Sequence, residues 1–190
     1  MLLRAVAVAG ALLDTSTAFA DRSLEVAGGA AIPIANDKWA ARGSTGWKIA
    51  GRGTGEVEGH LVVVGLEFAR IPDSQCDRFD RFRLMVGLAK RWSTEHVAVS
   101  ARVAIGADGL SCTFRGSFVP PGVPRTSSQF FDFGIGAEAA VTLWLFEGPV
   151  DVGIEAGIPF SVHWHDGDSE SPAIAPFAMD LDVLLAIRVR

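Results

Sequence analysis

The residues best equipped for chemistry lie in one run, VDVGIEAGIPFSVHWH (150–165). Ser161 and His163 stand two apart, with Glu155 before them and Glu170 after. A serine nucleophile, an imidazole base and an orienting carboxylate are the parts of a hydrolytic triad, provided they come within hydrogen-bond reach. His163, His165, Asp166 and Asp168 are metal ligands by type. The alternation of the run frames both readings. Val150, Val152, Ile154, Ala156, Ile158, Phe160, Val162 and Trp164 share one parity; Asp151, Gly153, Glu155, Gly157, Pro159, Ser161 and His163 share the other. On a strand these are opposite faces. Which face looks inward decides whether Ser161 and His163 form a site or merely fill space.

The same period of two recurs along the chain. It predicts eight strands, over 22–33, 45–52, 57–70, 80–91, 96–107, 131–145, 150–165 and 175–190. Tight connections are expected at GRGTG (51–55), WSTEH (92–96) and FEGP (146–149). Longer ones, rich in Gly, Pro, Ser and Asp, fall at 35–45, 71–79, 108–130 and 165–173. Short and long connections therefore sit at opposite ends of an antiparallel meander. Cys76 and Cys112 fall in two of the long connections. Two cysteines allow one bridge and no zinc-ligand pattern; pairing depends on a Cα separation that spacing does not supply.

The N-terminus reads as an export signal. MLLR is basic, AVAVAGALL is apolar, and Ala18-Phe19-Ala20 is a cleavage site, which makes 1–20 a signal peptide and 21–190 the mature domain. Export permits a disulfide. The 190-residue chain carries a net charge of −5, so it lacks the basic stripe that nucleic acid requires. No apolar stretch is long enough for a transmembrane helix.

The polar parity of the strands is mostly Gly and Ala. A solvent-facing surface has no reason to be small, whereas the lumen of an eight-stranded barrel holds only side chains. The charges on that parity are Lys48, Arg52, Arg83, Arg102, Arg188 and Arg190 against Glu25, Glu67, Asp132, Glu138, Asp151, Glu155, Asp180 and Asp182. Both signs are present, as buried charges require. On the apolar parity, Trp47, Phe68, Phe82, Phe131, Phe133, Phe160, Trp164 and Phe177 collect near the long-loop end, the pattern of an interfacial girdle. Trp92, Trp144 and Phe146 mark the other end.

Signal peptide, eight alternating strands, short turns against long loops and a small-residue charged lumen together resemble the small outer-membrane β-barrels of the OmpX, OmpA membrane-domain and opacity-adhesin type. The resemblance spans the whole mature chain. It implies an all-β, eight-stranded antiparallel up-and-down transmembrane barrel in contact with outer-membrane lipid, with periplasmic termini and extracellular loops. It implies a structural or surface-interaction role and no cofactor. Loop 108–130, with Phe114, Phe118, Arg115 and Arg125, is either the candidate contact for a surface partner or a loop folded over the barrel mouth, on a barrel expected to be monomeric. Some barrels of this kind deacylate lipid A from the lipid side. Here Ser161 and His163 share the lumen parity, where a lipid ester does not reach them, so catalysis is not expected. His163 and His165 share a face, but loops rich in His and Asp are commonly just solvated, so no metal site is expected either. A soluble calycin-like barrel binding an apolar ligand is the alternative, and it would reverse the two faces. Pro159, within the seventh strand, is expected to mark a bulge. Asp151 and Glu155 are expected to meet Arg188 and Arg190 on the last strand.

Overall fold

The computed structural model describes residues 20–35, 44–58, 60–73, 76–94, 97–114, 129–146, 148–164 and 177–189. Residues 1–19, Arg190 and most of the long connections lie outside that set. Eight strands follow in chain order: β1 (Ala20–Ala35), β2 (Gly46–Val57), β3 (His60–Arg70), β4 (Cys76–Ser93), β5 (Ala98–Phe114), β6 (Gln129–Phe146), β7 (Val150–Trp164) and β8 (Phe177–Val189). Each pairs antiparallel with its sequence neighbour, and β8 pairs with β1 to close the barrel. Closure leaves no sheet edge, so the strands satisfy one another's backbone groups without water.

The apolar parity faces out. Leu24, Val26, Ile49, Val64, Leu66, Leu84, Val86, Val103, Ile105, Val183 and Leu185 are all exposed, while the charged parity is buried. A soluble ligand-binding barrel has the opposite arrangement, and the calycin-like alternative is set aside on this observation.

Three local expectations are corrected. GRGTG is not a turn; it lies within β2, where Arg52 pairs with Glu25 on one side and Gly65 on the other. The hairpin closes instead between Val57 and His60, beside Glu58, whose φ of 51° is the left-handed geometry of a tight hairpin turn. Next, β4 begins at Cys76 and β5 runs on to Phe114, so both cysteines lie in strands rather than loops. Finally, Pro159 makes no bulge. Gly157 opposite Asp182 and Phe160 opposite Met179 keep one register, with the β7–β8 ladder interrupted between them. The missing proline N–H is absorbed by omitting pairs instead of inserting a residue.

Candidate functional site

All eight strands send charge into the lumen, and the side chains meet in three tiers. In the middle tier Glu155 of β7 receives two guanidiniums. Arg52 of β2 donates through Nη1 at 3.0 Å and Nη2 at 2.9 Å, and Arg102 of β5 through Nη1 at 2.6 Å and Nη2 at 2.8 Å. Thr142 adds its hydroxyl at 3.2 Å. Glu138 of β6 gathers Lys48 and Arg83, each at 3.2 Å, and also accepts from Arg102. Glu67 of β3 meets Lys48 at 2.7 Å and Arg52 and Arg83 at 3.2 Å each. Glu25 of β1 takes Arg52 Nη1 at 2.6 Å, and Asp182 of β8 takes Lys48 at 2.6 Å. Such a lattice answers the desolvation of each ion with several partners.

The tier toward the long connections centres on Arg81 of β4. It donates to Asp108 of β5 at 2.7 Å, to Asp180 at 2.5 Å and to Ser161 Oγ at 2.5 Å. His163 Nε2 lies 3.4 Å from Asp108 Oδ1. Ser161 is fully buried and its hydroxyl is engaged by the guanidinium, not poised as a nucleophile. Gly136 makes space where this tier meets the middle one: a Cβ there would stand 2.8 Å from Arg83 Nη2 and 3.2 Å from Asp108 Oδ2. Above it Ile71, Cys76, Phe79, Leu110, Cys112 and Ala178 form a buried apolar cluster, within which Cys76 and Cys112 are disulfide-bonded.

The tier toward the short turns holds Asp151 and Arg188, joined at 2.6 Å and 2.8 Å. Arg188 Cζ lies 4.0 Å from the centre of the Trp144 ring, a cation–π contact. Trp144 Nε1 donates to Ser100 Oγ at 2.9 Å. A cavity of about 70 Å³ opens among Glu25, Arg52, Arg91, Arg102 and Arg188.

The expected lumen residues divide as follows. Asp151 meets Arg188 as expected from neighbouring strands. Glu155 does not; it is held from β2 and β5. Asp132 is buried, and Arg190 lies outside the described residues. Arg81, Asp108 and Trp144 were missed as lumen residues, although each continues the parity of Arg83, Arg102 and Glu138. Trp144, expected at the short-turn end with Trp92, turns inward; Trp92 is exposed with Lys90 Nζ 5.6 Å from its ring.

Outside, the aromatics link into short rows. Ring centres are 5.2 Å apart for Trp47–Phe68, 5.0 Å for Phe68–Phe82, 4.6 Å for Phe131–Phe133 and 4.9 Å for Phe160–Phe177. Trp164 is exposed at the same end. Among the described residues no group of three or more His, Cys, Asp or Glu is placed to hold a metal ion; His165, Asp166 and Asp168 lie outside them, as does Glu170.

A closed eight-stranded meander with an apolar exterior and a charged interior has the architecture of a small outer-membrane-type β-barrel. Among solved structures the chain is similar to Neisserial surface protein A (NspA), with a TM-score of 0.57 at 11% identity over 88% of this chain and 96% of that one. It is also similar to a major outer membrane protein from Thermus thermophilus, with a TM-score of 0.55 at 12% identity over 90% and 100% of the two chains. At these identities the likeness is one of fold. No family model matches the sequence, and no curated protein does.

Proposed function

We propose that the chain is exported by residues 1–20 and resides in an outer membrane as a monomeric barrel with a plugged lumen. Its role is structural, or recognition through the long connections, and it is neither an enzyme nor a pore. The observation that carries this reading is the inverted polarity: apolar side chains outward on all eight strands, and paired charges inward. The two similar structures, a surface protein and a major outer membrane protein, agree with that setting. The interaction role falls to loop 108–130, whose residues 115–128 lie outside the described set; the paired ends of β5 and β6 hold its base.

Envelope fractionation tests the reading. The protein is expected in the membrane pellet, soluble only in detergent, with a gel mobility that shifts on boiling. Recovery in the soluble periplasmic fraction overturns it. Ser161→Ala is expected to leave lipid A deacylation in isolated envelopes unchanged, and a loss would restore the enzyme reading.

A further inference from the structure

We propose that Arg70, Asp80 and Arg78 form a binding site for the phosphate of a glycolipid headgroup, on the outer wall made by β2, β3 and β4. The inference rests on the membrane residence proposed above.

The position of the cluster points to a lipid. Outward residues along β3 run Val62, Val64, Leu66, Phe68 and then Arg70; their partners on β4 run Leu88, Val86, Leu84, Phe82 and then Asp80. Apolar side chains give way to aromatic ones and then to charge, the order in which hydrocarbon gives way to headgroups. Arg70 Cζ sits 5.8 Å from the ring centres of both Trp47 and Phe68, so its cation lies over the aromatic row.

The geometry points to phosphate. Asp80 is buried and binds both guanidiniums: Arg70 Nε at 2.7 Å and Nη2 at 3.2 Å, and Arg78 Nε at 2.7 Å. One carboxylate thus orients two arginines and leaves the cluster a net positive charge. Both Nε atoms are spent on Asp80, which among the described residues leaves Arg70 Nη1 and both terminal nitrogens of Arg78 as donors. The two side chains are 37% and 60% exposed. Fixed guanidinium forks match the oxygens of a phosphate and lose little freedom on binding it.

Native mass spectrometry of the full folded protein in detergent, titrated with bisphosphorylated lipid A, tests the proposal. Arg78→Gln is expected to weaken retention about tenfold, the loss of a charge-assisted contact. Arg70→Gln with Arg78→Gln is expected to reduce it to the level of dephosphorylated lipid A on the unmodified protein. Lys90→Gln, at the opposite rim, is expected to change nothing, and every variant is expected to keep the boiling-dependent mobility shift that reports folding. Undiminished retention by folded Arg78→Gln overturns the site. So does equal binding of dephosphorylated lipid, an equal loss in Lys90→Gln, or displacement of lipid A by millimolar inorganic phosphate. Undiminished retention together with envelope fractionation would remove the site and leave membrane residence standing; soluble recovery would remove membrane residence whatever the variants do.

Discussion

Glu155 shows what one buried side chain must satisfy in this lumen. Its two oxygens take four guanidinium hydrogen bonds and one hydroxyl, from β2, β5 and β6. Glutamine has the same shape but no charge, and its amide presents hydrogens to groups that are themselves donors. Glu155→Gln is therefore expected to destabilise the barrel by about 3–5 kcal/mol, the usual cost of removing one member of a buried ion pair. Urea unfolding from lipid vesicles, followed by tryptophan fluorescence, measures it. Trp144 provides a contrast. Trp144→Phe keeps a ring beside Arg188 and gives up the bond to Ser100, so it is expected to cost only about 1 kcal/mol. Equal losses in the two variants would mean that the lattice around Glu155 is no more demanding than a single neutral hydrogen bond.

At the scale of the strand, β4 and β5 are distinctive because they outrun the apolar wall and are cross-linked where they do. The cysteines are 36 positions apart in sequence and 5.7 Å apart between Cα atoms. Closing a loop of that length in the unfolded chain is worth up to about 4 kcal/mol on the chain-entropy view. Cys76→Ser is expected to lower the urea midpoint accordingly and to abolish the mobility change that reduction produces in the unmodified protein; an unchanged midpoint would contradict it. The extension also shows what was legible in the sequence. Strand faces were readable because lipid and a narrow lumen impose opposite chemistries on alternate residues. Strand ends were not. Beyond the apolar wall both faces of the β4–β5 ladder carry Cys, Asp, Arg, Ser and Gly, a composition shared with loops, so Asp108 reads as a loop residue and is separated from Arg81, which lies within the expected fourth strand. Pro159 reads as a disturbance from sequence, but its local residue type does not distinguish an added residue from omitted pairs. Pro33 of β1 lies opposite Asp180, on the other flank of β8. Amides of β8 at Asp180 and Leu181 are accordingly expected to exchange hydrogen faster than those at Leu185 and Ile187; uniform protection along β8 would rule out a weakened seam.

For the molecule as a whole, the three tiers decide whether anything passes through the barrel. Eight strands enclose a width that side chains fill. From the long connections inward, the path meets the disulfide-bonded apolar cluster around Phe79 and Leu110, and then the lattice around Arg81, Glu67 and Glu155. One gap within that lattice, beside Lys48 and Asp182, is about 10 Å³, no more than one water needs. From the short turns, the cavity of about 70 Å³ ends against Arg52 and Arg102, and Trp144 is buried in a cluster with Ala27, Ala50, Ala98, Leu184 and Ala186. On the plugged-lumen reading proposed above, each barrier interrupts a column of water, and an ion crossing the middle tier would have to displace charges that already have several partners each. Planar bilayers containing the purified barrel are therefore expected to show no unitary current steps. Arg52→Ala with Arg102→Ala removes the floor of the cavity and leaves Glu25 and Glu155 facing it. That variant, where it inserts, is expected to admit cations in preference to anions. Discrete steps from the unmodified barrel would mean that the ion-pair lattice rearranges on a timescale that opens a path, and would refute the plugged-lumen reading.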